Sequence, residues 1–365
     1  MESLINIDKN MIVNETIGDF EVIWRDAKDA PFKIYGLYEP KSQPVYRRLP
    51  PEVAEATSKG VAALSRETSG GRVRFSTDSP YIAIRAKYKA VGRSSHLNLL
   101  STTGFDLYTD GEFGSRFIKE FRMPYDMKDY YEQIIELDGP YMRSYTINFP
   151  VHAVVEKLEI GLKPGATLGE GRKYRELKPF LVYGSSIVHG TAATRPGLTY
   201  PNMISRELDM DYYNVGFSGM AKGEEVIARW IAEQPMSVFV CDYDHNASNA
   251  EQLKNTHFRM YEIIREKNPD LPYIMVTRPD YWTRITEQDA ILDRRAVIME
   301  SYLKARALGD KNVYFIDGLS FNVGAHQYDT TVDGVHPNDY GFVRMADSIG
   351  AVMKHALEKR LEKNE

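Results

Sequence analysis

The chain has one cysteine, Cys241, in 365 residues. No intramolecular disulfide can form, and a reducing compartment is the expected setting. Cys241 follows Val238-Phe239-Val240, so a buried strand thiol is expected there, not a nucleophile. No apolar run reaches the roughly 18 residues that a bilayer-spanning helix needs. The opening residues, Met1 to Asn10, lack a basic stretch followed by an apolar one. They are not a secretory signal, and a cytoplasmic protein is expected. The net charge of -5 offers no cationic excess for nucleic acid or for an anionic membrane. Internal repeats and low-complexity tracts are absent too. What remains is an ordinary globular composition, long enough for two domains.

The two halves follow different patterns. Up to about residue 165 the chain reads as β. Val73–Thr77, Tyr81–Tyr88 and Val154–Leu162 alternate apolar and polar residues, the period of half-exposed strands. Ser69-Gly70-Gly71, Asp78-Ser79-Pro80 and Asp110-Gly111 supply turns between strands. An antiparallel β-sandwich or jelly roll is expected, with one short helix at Pro51–Ala56. Arg93 to Phe105, with His96 and Asn98, reads as a long polar loop able to reach a ligand. The Gly-rich segment Lys163–Gly171 reads as a link. Beyond it, the apolar runs Pro179–Tyr183, Met236–Cys241, Tyr273–Thr277 and Val313–Asp317 alternate with helical patterns at Tyr200–Leu208, His257–Lys267 and Asn338 to about Lys359. That alternation predicts a doubly wound parallel sheet. The expected domains are residues 1–171 and 172–365, and the fold class is α/β.

Four segments of the second half carry chemistry. Gly184-Ser185-Ser186-Ile187-Val188-His189 follows the first apolar strand and puts a serine at a strand-to-helix corner. Asn214-Val215-Gly216-Phe217-Ser218-Gly219 follows a short strand at Asp211–Tyr213, and Gly219 could bring its N–H to an oxyanion. Asn246 lies just beyond the strand ending at Cys241 and has amide N–H groups to offer. Asp333 and His336, three apart in a loop before a helix, can pair as carboxylate and imidazole. Each segment alone is also an ordinary turn. Together they lie beyond strands of one sheet and supply a nucleophile, oxyanion donors and an oriented base, the requirement for acyl transfer. Asp242, Asp244 and His245 crowd too closely to make a metal ligand set, so neither metal nor cofactor is expected.

The order Gly184-Ser185-Ser186-Ile187, Asn214…Gly219, Asn246, Asp333-x-x-His336 resembles the SGNH, or GDSL-type, hydrolases, in the branch that reads Gly-Ser-Ser-Ile. Thr194-Arg195-Pro196-Gly197 and Thr277-Arg278-Pro279 are similar to that branch. Gly104-Phe105-Asp106-Leu107-Tyr108 resembles the Gly-x-Asp-Leu-Tyr element of the β domain preceding such enzymes. The resemblance implies an SGNH, flavodoxin-like second domain. It also implies Ser186 as nucleophile, with Ser186 N–H, Gly219 N–H and Asn246 as oxyanion hole, and His336 as base oriented by Asp333. Ser185, Tyr243, Asp244 and His245 adjoin these positions and are the candidate substrate contacts. The implied activity is removal of acetyl groups from oligosaccharides. A transferase to a sugar or natural-product hydroxyl, and a non-catalytic carbohydrate-binding protein, stay open. The expected partner is a small-molecule or oligosaccharide ester, and self-association stays open.

Overall fold

The computed structural model describes residues 15–362, and the segment Met1–Asn10 discussed above lies outside them. The first half contains β1 (Glu15–Ile17), β2 (Phe20–Asp26), β3 (Lys33–Tyr35), β4 (Arg72–Thr77), β5 (Tyr81–Ala90), β6 (Phe105–Gly111), β7 (Gly114–Phe121), β8 (Tyr130–Glu136), β9 (Arg143–Asn148), β10 (Val154–Leu162) and β11 (Leu168–Glu170). All pair antiparallel, in two sheets ordered β1-β2-β10-β5-β8 and β11-β4-β9-β6-β7, with β3 also on β4. Period-two alternation turns Ile82, Ile84 and Ala86 of β5 into the same core as Val73, Phe75, Tyr145 and Ile147 of the other sheet. The Gly-rich segment is not a free link, because β11 forms inside it and pairs with Phe75–Thr77.

In the second half come β12 (Phe180–Gly184), β13 (Tyr212–Gly216), β14 (Val238–Asp242), β15 (Tyr273–Val276) and β16 (Val313–Ile316), all parallel, in the order β13-β12-β14-β15-β16. The chain therefore departs from β12 to opposite sides, which opens a crevice beyond its carboxyl end. Leu181 and Tyr183 face one core, and Phe180 and Val182 face the other. This double burial is why these strands read as continuous apolar runs. In chain order the helices are α1 (Pro51–Thr57), α2 (Lys59–Leu64), α3 (Leu99–Thr102), α4 (Ser186–His189), α5 (Tyr200–Leu208), α6 (Glu225–Ala232), α7 (Ala250–Lys267), α8 (Gln288–Ala307) and α9 (Asp339–Glu362). Helices α6, α7 and α8 cover the first core, and α5 and α9 the second. The sequence pattern did not mark α8, because its apolar side chains lie on both faces: Ile291 and Ile298 are buried while Leu292 and Leu303 are exposed. Among the described residues no helix is long and apolar enough to cross a membrane.

The halves are joined by buried polar contacts. Arg48, 2 % exposed, donates to Leu64 O (2.8 Å) and Glu67 O (2.8 Å) on its own side. Across the joint it donates to Asn214 O (3.1 Å) and Gly216 O (2.6 Å), at the end of β13. Burial lowers its guanidinium to about 10, so it stays a cation at neutral pH. Asp106, of the Gly-x-Asp-Leu-Tyr element, accepts from Gly197 N (2.8 Å) and Arg195 Nη1 (3.1 Å). Two motifs that looked separate in the sequence thus meet as one domain joint. Ala54 and Val61 of the first half complete the apolar core under α6 and α7. Replacing Arg48 by Met takes this donor from Glu67 O, Asn214 O and Gly216 O, each worth roughly 1–3 kcal/mol if left unpaired, while Leu64 O keeps Glu67 N (3.1 Å). Denaturant unfolding of Arg48→Met should show a loss of about 3 kcal/mol or more. A loss below about 1 kcal/mol would mean that water replaces the guanidinium at no cost.

Candidate active site

The strand-to-helix corner after β12 admits no side chain at its first position. A Cβ on Gly184 would lie 2.0 Å from Asp242 O and 2.3 Å from Val188 Cγ2. Ser185 N donates to the same Asp242 O (3.2 Å), and Ser185 Oγ caps α4 by accepting from Ile187 N (3.2 Å). Gly190 closes the short helix at φ +99°. Ser186 is left half-buried at the crevice, its Oγ 2.9 Å from His336 Nε2. His336 Nδ1 lies 2.7 Å from Asp333 Oδ2. Asp333 Oδ1 also accepts from the backbone N–H groups of His336 (2.7 Å) and Val335 (3.0 Å). Partial burial raises the Asp333 carboxyl, but these hydrogen bonds outweigh it and hold it below the usual aspartate range. It is therefore ionised at neutral pH and fixes the proton of His336 on Nδ1, leaving Nε2 free to accept from Ser186.

Asp333 and His336 do not follow β16 directly. Their loop is pinned instead by Val332 N to His336 O (3.0 Å), Thr283 Oγ1 to Gly334 O (2.8 Å) and Asn338 N to Thr330 O (3.0 Å). Asn246 sits in a turn after β14, its Nδ2 donating to Phe217 O (2.9 Å). That bond uses one amide N–H and leaves the other. Gly219 has φ +72° and open space around the position a Cβ would take. Among the described residues, no acceptor takes the backbone N–H of Ser186 or of Gly219.

The structure thus brings Ser186, His336 and Asp333 into one hydrogen-bonded chain and leaves N–H groups of Ser186, Gly219 and Asn246 available. It places the four candidate substrate contacts differently. Ser185, Tyr243 and Asp244 are buried and engaged inside the fold, which does not fit contact with a ligand. Ser185 is the cap just described. Tyr243 hydroxyl pairs with Thr256 (2.8 Å), and its ring lies in the core under α6 and α7. Asp244 Oδ2 accepts from Arg278 N (3.1 Å), and burial pushes its carboxyl up. His245 is nearly buried, 3.3 Å from Asp280, which also holds Arg278 through two bonds. Arg278 and Asp280 thereby give the Thr277-Arg278-Pro279 motif a structural part. Asn98 caps α3 inside the expected polar loop, its Oδ1 accepting from Leu100 N (2.9 Å). Sequence reasoning missed Arg48, Glu67 and His152, which lie behind the Phe217–Gly219 segment. His189 closes the quoted motif, and its full burial gives it a place in that same group.

Residues 177–354 match the GDSL-like lipase/acylhydrolase family, and residues 22–168 match the N-terminus of SGNH-hydrolase-type esterases. The chain belongs to the SGNH, or GDSL-type, hydrolases. Among solved structures, a protein from Bacteroides ovatus described as a GDSL-like lipase superposes with a TM-score of 0.83 at 24% identity, covering 92% of this chain and 98% of its own. The salicylyl-acyltransferase SsfX3 of a tetracycline biosynthetic pathway gives 0.71 at 21% identity, covering 90% and 95%. A family two carbohydrate esterase from Clostridium thermocellum gives 0.59 at 14% identity, covering 80% and 94%. No curated protein matches the chain in sequence. This SGNH hydrolase has two glycines at its site under opposite constraints. Gly219→Ala meets no atom and should cost only the left-handed strain of roughly 1–2 kcal/mol. Gly184→Ala drives a Cβ into backbone and should lower the thermal midpoint far more. Equal melting of the two variants would refute the tight corner.

Proposed function

We propose that this hydrolase is a serine esterase that removes acetyl or similarly short acyl groups from carbohydrate. The observation that carries the reading is the chain Ser186 Oγ–His336 Nε2–Asp333, with links of 2.9 and 2.7 Å, beside unpaired N–H groups. Ser186 Oγ attacks the ester carbonyl while its proton passes to His336 Nε2. The imidazolium is supported by the ionised Asp333. The oxyanion accepts from Ser186 N–H, Gly219 N–H and the second N–H of Asn246. Collapse breaks the bond to the alcohol, which leaves with the proton from His336. Water then adds to the acyl-enzyme, giving its proton to His336, and the acid departs as Ser186 is re-protonated.

The carbohydrate assignment draws on architecture. The family two esterases and an acetyl xylan esterase from Butyrivibrio proteoclasticus share this fold over most of the chain. Transfer to an acceptor hydroxyl would use the same acyl-enzyme, and the likeness to a salicylyl-acyltransferase keeps it as the second reading. Acetate release from a panel of acetylated oligosaccharides, with and without an acceptor alcohol, separates the two. Free acetate supports hydrolysis, and acylated acceptor supports transfer.

Two variants test the roles. Ser186→Ala should keep the fold and lose activity on an aryl acetate; activity equal to the parent would exclude Ser186 as nucleophile. Asn246→Ala should lower kcat by a factor of roughly 10²–10³ with little change in KM. A loss confined to KM would assign Asn246 to ground-state binding.

A further inference from the structure

Five side chains outside the proposed triad form one connected group behind the oxyanion segment. Glu67 Oε2 lies 2.9 Å from His152 Nδ1 and 3.1 Å from His189 Nε2. His152 Nε2 is 2.9 Å from Thr191 Oγ1, which is 3.3 Å from Ser218 Oγ. Ser218 Oγ closes the ring, 3.1 Å from His189 Nδ1. Glu67 and His152 come from the sandwich; the other three come from the hydrolase domain. Ser218 is the residue before Gly219. Glu67, His152 and His189 are ligand types within 4.8 Å of one another, but the Arg48 guanidinium stands 3.4 Å from His189 Nε2 and opposes a metal cation there.

The proton order of this ring can be read from its surroundings. Burial, then the charges of Arg48 and His152, lower His189 to about 3, so it is neutral and carries one ring proton. Two oxygens, Val151 O and Glu67 Oε2, each lie 3.1 Å from His189 Nε2, closer than the Arg48 Nη2 donor at 3.4 Å, and this assigns the proton to Nε2. His189 Nδ1 must then accept, and Ser218 donates to it. The Ser218 oxygen is left to accept from Thr191, and the Thr191 oxygen accepts from His152 Nε2. His152 Nδ1 faces the Glu67 carboxylate, so it too carries a proton. In that order, every link of the ring is made when both ring nitrogens of His152 carry a proton. Burial raises the Glu67 carboxyl, but its bonds to the two histidines outweigh that and keep it ionised as the counter-charge.

We propose that Glu67 and His152 are positioning residues: an ion pair supplied by the sandwich orders Thr191 and Ser218 and so holds the Gly219 N–H toward the oxyanion. This rests on Gly219 being an oxyanion donor.

Two measurements on the full-length protein test it. With histidine labelled in nitrogen-15, both ring nitrogens of His152, assigned by their loss in His152→Gln, should resonate as protonated at neutral pH. A bare ring nitrogen overturns the proton order and the proposal. In kinetics on an aryl acetate, His152→Gln and Ser218→Ala should each lower kcat roughly tenfold with KM unchanged, the cost of a small misplacement. The double variant should be no worse than the poorer single one, because both cut the same chain. Ser218→Thr, which keeps the hydroxyl, should retain activity. Additive losses, a change in KM alone, or full activity in Ser218→Ala overturns the proposal. If Ser218→Ala fails to fold, the near-isosteric Thr191→Val cuts the same ring and is read the same way. A kcat loss in Asn246→Ala without one in Ser218→Ala leaves the oxyanion reading standing and sinks this one. No loss in either removes both.

Discussion

A cation buried between two domains sets the geometry of this protein. Taking a guanidinium out of water costs several kcal/mol unless acceptors replace the water. Arg48 finds four of them where Leu64 O and Glu67 O from one domain converge with Asn214 O and Gly216 O from the other. The two domains are therefore fixed against each other at the tip of β13, three residues before Gly219. Its guanidinium also lies 4.9 Å over the ring of Phe217, whose carbonyl holds Asn246. The segment Phe217–Gly219 is thus gripped from below by the sandwich and from the side by the turn after β14.

The same edge of the sheet treats its carboxyl groups in opposite ways. Asp242 and Asp244 are buried at the end of β14, where loss of water pushes both up, Asp242 well above its ordinary range. Tyr200 hydroxyl donates to Asp242 (2.9 Å), and the pair serves the strand tip. Asp333 sits half in solvent, takes two backbone N–H bonds and the imidazole, and stays ionised. Three aspartates lie near one crevice, and only Asp333 is placed and charged to support an imidazolium. Environment divides the roles, as it does wherever similar groups serve different chemistry.

Much of this was legible in the sequence. Apolar runs of the second half had to be buried on both faces, and the period-two strands of the first had to pair antiparallel. The glycines around Ser186, and the three-residue spacing of Asp333 and His336, carried the geometry because each constraint is local. Tyr243 and Asp244 adjoin Asn246 in sequence, but adjacency says nothing about direction: the turn after β14 carries both side chains back into the fold. Helix α8 was missed because its apolar residues have no single face. Arg48, Glu67 and His152 were invisible because their partners lie on segments remote in sequence. A charged residue in a loop declares itself only when the second domain closes over it.

The claim on which the account rests is that Ser186 is activated by His336 at this crevice. Reaction of the intact protein with an organophosphonate ester, followed by peptide mass mapping, tests it most directly. The account predicts one adduct per chain, on Ser186, formed far more slowly in His336→Ala. An adduct on another residue, or none at all in the folded protein, would contradict it.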